Sequence, residues 1–386
     1  MGFDLVIVGA GAVGASLARA ARGLSVALVA GARPAAAAFA PDAWDGRVYA
    51  LSPGSVRFLR AIRAWDAIPP ERLTPVHAMR VCGDDGAARM DFDAYAAGVP
   101  ELAWIVEDRV LQAALWRALE AQDGLEIIAP ARCSALALGE DARVTLADGR
   151  VLEAGLVVGA DGADSFVRSA AGIPATEIPY GQSAVVANFS CELPHGNVAF
   201  QWFQGGPVLA LLPLPGNRVS MVWSVPTERA AELMALEGDA LGREVSAASK
   251  AALGSLCAIC APQAYPLRRI KAARMVLAHL ALAGDAAHVV HPLAGQGLNL
   301  GLQDAQSLGA LLAARPPVRG TGDLALLRRY ERERSEAILA MRAAVHGLHS
   351  LFGVQGAAAR RLRNAGLNLT DRLPVVKNAL LRYALH

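Results

Sequence analysis

Residues 282–304 read LAGDAAHVVHPLAGQGLNLGLQD. The approach to this stretch is apolar (Met275, Val276, Leu277, Leu280, Leu282) and predicts one buried strand that ends on Gly284-Asp285. A short carboxylate at a strand end is suited to accepting hydrogen bonds from sugar-type hydroxyls, and less so to meeting a phosphate. The run Pro292-Leu293-Ala294-Gly295-Gln296-Gly297-Leu298-Asn299 then leads into a helix expected to continue through Ala313. Glycines at 295 and 297 let backbone approach a flat ring closely, while a helix start aims free N–H groups and a positive dipole end at it. A ring that becomes anionic on reduction is stabilised in such a place.

The N-terminus carries the complementary half. Asp4-Leu5-Val6-Ile7-Val8 predicts a strand buried on both faces. It enters Gly9-Ala10-Gly11-Ala12-Val13-Gly14, a helix to about Arg22 and a second strand, Ser25–Val29. This is the dinucleotide fingerprint in its required strand–turn–helix–strand context, with the pyrophosphate expected at the helix start and contacts at Gly9, Gly11 and Gly14. The acidic residue expected to bind the adenosine ribose at the end of the second strand is replaced by Ala30, with Arg33 nearby. A third strand-end motif lies mid-chain, LVVGADGADSFVR over 156–168, placing Asp161 and Gly162 where a strand gives way to a helix. Before it, residues 143–152 alternate around Asp148-Gly149 and predict a hairpin.

Together these three motifs resemble the signatures of the single-component flavoprotein aromatic hydroxylases. Further stretches are similar to the ubiquinone-biosynthesis hydroxylases (the UbiH/UbiI/VisC group): Asp45-Gly46-Arg47 through Leu51-Ser52, Trp104–Glu107, and Arg363-Asn364 with Asp371, Pro374 and Lys377. The resemblance covers nearly the whole chain and is weakest near 30–40, 70–100 and 225–260. It implies an α/β fold: an FAD-binding Rossmann-like domain assembled from residues 1–74, 105–179 and 272–350, an inserted antiparallel-sheet substrate domain from 75–104 and 180–271, and a helical C-terminal segment, 351–386. It implies FAD as cofactor, held by Gly9, Gly11, Gly14, Arg47, Arg109, Asp161, Gly162, Asp285, Pro292, Gly295, Gln296, Gly297, Leu298 and Asn299. Within that set, Arg47 is expected to pair with the pyrophosphate and Arg109 to meet the ribityl or phosphate region. A reduced nicotinamide, NAD(P)H, or another donor reduces the flavin in this family, O2 adds at its C4a carbon, and the distal peroxide oxygen goes to an aromatic ring. The implied substrate is a phenol carrying a polyprenyl tail.

The inserted region supports this from its own pattern. Strand-like runs at 184–189, 198–203, 208–212 and 219–225 are separated by turn residues, which predicts an antiparallel sheet. Trp202, Phe203 and Trp223 are candidates for lining a cavity or for plain core. Residues 180–225 offer only Arg218 and Tyr180 to meet a substrate carboxylate, which favours a greasy substrate. Residues 227–260 predict helix, and 323–351 a long helix whose mixed charges (Arg328, Arg329, Glu331, Arg332, Glu333, Arg334, Glu336) point to a solvated face. His288 is expected to fix its loop. No side-chain base for the phenol is identified, and no metal-ligand cluster or Ser-His-Asp arrangement is present.

Bulk properties set the remaining bounds. In 386 residues with 54% hydrophobic content and a formal net charge of +2, no basic stripe interleaved with aromatics indicates a nucleic-acid partner. Five scattered cysteines make no disulfide framework, and Cys257-Ala-Ile-Cys260 reads as two packing thiols. The chain begins directly in a strand without a signal segment, so a cytoplasmic location is expected. The stretch 360–386 sets Arg360, Arg361, Arg363, Arg372, Lys377 and Arg382 among leucines and valines, a basic amphipathic end suited to the inner membrane surface or to another protein of ubiquinone biosynthesis. Two alternatives stay open: the same chemistry on a small soluble aromatic compound, and a flavin-binding subunit that holds a biosynthetic complex together without catalysing.

Overall fold

The computed structural model describes residues 2–34, 43–83, 88–290 and 296–353, with only the backbone of 340–353. The apolar runs at 5–8, 26–29, 156–159 and 280–282 have no polar face, so each is covered on both sides, and the edge strand 125–128 exposes Glu126. They form the parallel centre of one sheet, in the order Leu280–Leu282, Val151–Gly159, Gly2–Val8, Val26–Val29, Leu125–Ile128. Parallel pairing puts the carboxyl ends of all five at one edge, which gathers Gly9, Asp161 and Asp285 from across 276 residues of sequence (285 − 9). The expected hairpin is present as Ala142–Leu146 antiparallel to Val151–Gly159.

Two helices cover the face nearest the cofactor edge, Ala12–Ala20 and Gln296–Ala313. They pack through small residues: a Cβ at Gly301 would stand 2.5 Å from Val13 Cγ2, and one at Gly309 2.8 Å from Ala20 Cβ. Gly284, at φ +61, lies against the same Val13. The glycine loop and the Gly284-Asp285 turn are thus joined through one tight helix pair.

The second sheet is larger. Ala175–Cys191 pairs antiparallel with Arg218–Pro226 and Gln263–Ala272, and the meander continues through Val208–Leu214 to Val198–Phe203. The hairpin Ala78–Cys82/Arg89–Asp93 joins its edge by a parallel pairing. Residues 75–104 therefore divide. Their hairpin belongs to this sheet, whereas Thr74–Val76 and Ala103–Glu107 pair with each other beside Val48–Leu51 in a three-stranded sheet.

Three expectations need correcting. The single strand to Leu282 is two short ones, Val276–Leu277 and Leu280–Leu282, reversed at His279, which holds φ +62. Residues 227–260 are not helical throughout: helices Thr227–Met234 and Gly238–Ala248 stop where Lys250 and Ala251 take positive φ, and Leu256–Ala258 is an edge strand. On the long helix Leu324–Gly353, Arg334 and Tyr330 are buried, so the mixed-charge pattern conceals an inward face. Among the described residues, no helix is long and apolar enough to cross a membrane.

Candidate active site

At the glycine loop each glycine answers a different demand. A Cβ on Gly9, at φ +103, would run into the Ala160 carbonyl, and one on Gly14 would overlap the Gly9 carbonyl oxygen. Both are fixed by packing within the protein. Gly11 differs: nothing lies nearer to its would-be Cβ than Gln112 Nε2 at 3.9 Å. It is exposed and starts the Ala12–Ala20 helix with no side-chain cap, so the first N–H groups of that helix face open space. A pyrophosphate suits such an uncapped, dipole-positive end.

The helix Asp108–Glu120 runs beside this loop. Trp116 Nε1 donates to the Ala10 carbonyl at 3.3 Å, and Arg109, Gln112 and Trp116 follow at three- and four-residue spacing on one side. Asp45 organises its start. One Asp45 oxygen accepts from the Arg47 N–H (3.1 Å), while the other accepts from the Arg109 N–H (3.2 Å) and lies 3.4 Å from Arg109 Nε. Asp45 is itself held by Glu107, whose carboxylate takes the Asp45 N–H at 2.6 Å and pairs with buried Arg72 at 3.1 Å. Burial pushes the Glu107 carboxyl up, against the pull of the Asp45 N–H and Arg72. The exposed Arg47 guanidinium lies between two rings, 5.4 Å from that of Tyr49 and 5.8 Å from that of Tyr265. Asp45 therefore fixes the backbone of Arg47 and pairs with the side chain of Arg109.

Asp285 stands in the turn Gly284–Ala286, reachable by solvent yet crowded by protein. That crowding raises its carboxyl above the usual carboxylate range and Asp304 adds to the rise, while His288 and Arg47 oppose it. Hydroxyl donors that favour the ionised form would relieve this cost. Asp285→Ala is expected to reduce bound flavin about tenfold with no loss of flavin-free stability. Retention of full flavin occupancy after dialysis would remove Asp285 from the site. Because the carboxyl is raised, flavin affinity should fall on acidification from a higher pH than an ordinary aspartate gives.

Several other expected site residues also make contacts within the protein. Asp161 accepts from Ser165 Oγ (2.5 Å) and the Val167 N–H (3.0 Å), anchoring the helix Phe166–Ala170. Gly162, at φ +84, has open space on its side-chain side, as does Gly297. Buried Asn299 accepts from the Ser52 N–H (2.9 Å) and Ser55 Oγ (2.8 Å) and donates to the Ala50 carbonyl (2.9 Å), welding the Val48–Leu51 strand to the helix Gln296–Ala313. Leu298 packs on the main core, and Gln296 Oε1 faces Asn299 Nδ2 at 3.5 Å. Pro292 and Gly295, like His291, lie outside the described residues.

Sequence reasoning missed the ties beneath these loops. Arg168 donates to the carbonyls of Ala286 and Ala163, each at 2.8 Å, joining the mid-chain motif to the Asp285 turn. Fully buried Asp304 receives the Gly284 N–H (2.9 Å), His288 Nε2 (2.7 Å) and Arg334 Nε (2.6 Å). His288 does fix its loop, as expected. A signal for the partner existed only as one arginine among many on a charged helix.

The second sheet faces this edge. Val185, Ala187, Leu209, Met221 and Trp223 point away, under the helices that carry Leu233 and Leu241. Trp202 and Trp223 are thus plain core, whereas Phe203 and Val208 pack with Val290 and Leu300 of the cofactor-binding half. By strand alternation the face turned toward the cofactor edge carries Ala184, Val186, Asn188, Ala210, Leu212, Ser220, Val222 and Ser224, with Arg218 at the start of the same alternation. On this face Ala210, Leu212 and Val222 stay partly exposed, whereas Ala184, Val186, Asn188, Ser220 and Ser224 are buried. Arg218 is engaged elsewhere, 5.0 Å over the Trp44 ring and bonded to the Pro215 carbonyl.

The family described as FAD binding domain matches residues 3–344. The chain is 35% identical over 387 residues to the 3-demethoxyubiquinol 3-hydroxylase of Escherichia coli K12, covering 99% of this chain and 98% of that protein. It belongs to the ubiquinone-biosynthesis group of FAD-dependent hydroxylases. This hydroxylase is also 36% identical over 386 residues to the ubiquinone hydroxylase UbiL of Rhodospirillum rubrum, with 99% and 89% coverage. Among solved structures it is similar to PqsL, a probable FAD-dependent monooxygenase from Pseudomonas aeruginosa, with a TM-score of 0.80 and 26% identity over 95% of this chain and 99% of that one. FAD fits the hydroxylase: an uncapped helix start, two placed arginines and an open carboxylate follow one another along its cofactor edge.

Proposed function

We propose that this FAD-dependent monooxygenase hydroxylates the aromatic ring of a polyprenylated phenol, with NAD(P)H as reductant and O2 as oxidant. The observation that carries the reading is the largely apolar sheet face opposite the cofactor edge, on which Ala210, Leu212 and Val222 stay partly exposed. A substrate carboxylate would be left unpaired there at a cost of several kcal/mol, whereas an apolar chain gains about 0.8 kcal/mol for each methylene it buries. When bound, the flavin supplies the redox chemistry and the activation of O2. The protein holds the ring plane with backbone at its glycine loops, sets Arg47 and Arg109 through Asp45, and keeps water from the reacting centre with the facing sheet. A polyprenyl tail ties the reaction to a bilayer. We therefore place the enzyme in the cytoplasm against the inner membrane face, beside other proteins of the same pathway, a reading that the basic amphipathic stretch 360–386 supports.

The test is anaerobic reduction of the bound flavin by NAD(P)H, with and without a polyprenyl phenol. Bleaching accelerated by the phenol, followed by hydroxylated product when air is admitted, is the expected result. Acceleration only by a soluble aromatic acid would overturn the substrate class, and no reduction under any condition would overturn the enzyme reading in favour of a flavin-holding subunit.

A further inference from the structure

We propose that the adenosine end of the cofactor is met by a cation, Arg33, in place of the carboxylate that ordinarily accepts the ribose hydroxyls. In a dinucleotide fold that carboxylate stands at the end of the second strand. Here the position is Ala30, 4% exposed, its N–H bonded to the Ile128 carbonyl (3.0 Å) and its carbonyl to the Ala131 N–H (2.8 Å). Its backbone is spent on neighbouring chain, and its methyl offers no acceptor. The adjoining strand Leu125–Ile128 runs on through Ala129, Pro130, Ala131 and Arg132. Among the described residues, the two strand ends on this side therefore carry Arg33 and Arg132 and no carboxylate.

Arg33 is exposed, and its guanidinium stands 6.0 Å from the centroid of the Trp116 ring. The Nε1–H of that indole donates to the Ala10 carbonyl, inside the glycine loop. One aromatic ring thus links the cation to the loop backbone on which a pyrophosphate would rest. A guanidinium donates only and is always charged, so it cannot accept a ribose hydroxyl's proton, but it binds phosphate oxygens well. The chemistry recognised at this end is phosphate, and the contact is electrostatic, exposed and sensitive to salt.

The test uses flavin-free protein and competition against FAD fluorescence with two probes that differ by one group, ADP-ribose and its 2′-phosphate. The wild type should bind the 2′-phosphorylated probe about fivefold more tightly, the size of one exposed charge-assisted contact. Arg33→Ala should abolish that preference and weaken FAD itself about fivefold at low salt, a gap that closes near about 0.5 M salt. Ala30→Glu should reverse the preference. If that buried change prevents folding, Arg33→Glu reverses the charge at an exposed position and carries the same expectation. Tighter binding of unphosphorylated ADP-ribose by the wild type, or an Arg33→Ala protein indistinguishable from it, would overturn the proposal. Either result leaves the FAD site itself intact, because FAD affinity is read in the same titration.

Discussion

Asp304→Asn should lower the melting temperature by roughly 4–6 °C, the consequence of about 3–5 kcal/mol lost when a buried pair is broken. The carboxylate is 0% exposed and answers three donors at once, so the variant leaves the Arg334 guanidinium, 5% exposed, without its anion. Flavin should loosen as well, because the Gly284 N–H that Asp304 holds fixes the turn bearing Asp285. The pH dependence follows in sign. Burial alone would raise the Asp304 carboxyl, but His288 and Arg334 hold it below the usual range. A lowered carboxylate contributes stability that is complete above its unfolded value and lost as pH falls through its folded one. Wild-type protein should therefore lose stability on acidification below about pH 4, a limb that Asp304→Asn lacks from this source. The double variant Asp304→Leu/Arg334→Met removes both charges and should recover part of the loss. A melting temperature for Asp304→Asn within about 2 °C of wild type would show the network to be inert.

Gly14→Ala should weaken FAD binding by one to two orders of magnitude, since the new Cβ would overlap the Gly9 carbonyl oxygen and relief of such overpacking costs about 1–3 kcal/mol. Gly11→Ala makes the informative comparison. Its Cβ meets no protein atom closer than 3.9 Å, so flavin-free stability should be unchanged while FAD affinity falls. Gly14→Ala should lower both. Paired thermal melts and flavin titrations distinguish the two, and equal losses of flavin-free stability would refute the division between packing glycines and a cofactor-facing one.

The cofactor half was legible in the sequence because its strands are apolar on both faces and end in glycine or Gly-Asp, signals that belong to single short segments. Gly9, Gly14 and Asp285 stand where those signals put them. What escaped reading depends on pairs distant in the chain. Nothing local distinguishes Arg334 from Arg328 or Arg332, and burial of the first is set by Asp304, thirty residues earlier on another helix. Arg168 and Asn299 escaped similarly, their partners lying 118 and about 250 residues away. The 227–260 stretch misled because its ends are helix-compatible in composition, while positive φ at Lys250 and Ala251 is a backbone fact that neither residue type announces.

The close contact of Gly301 and Gly309 with Val13 and Ala20 has a mechanical consequence. Helices packed glycine against side chain cannot slide or part without opening a gap that no side chain fills, so the two move as a single unit. On the other side of the cofactor edge, Asn188 of the facing sheet holds the Asp45–Arg47 segment by donating to the Asp45 carbonyl at 2.8 Å. The segment that carries Arg47 is thereby tied to the facing sheet as well as to the nucleotide half.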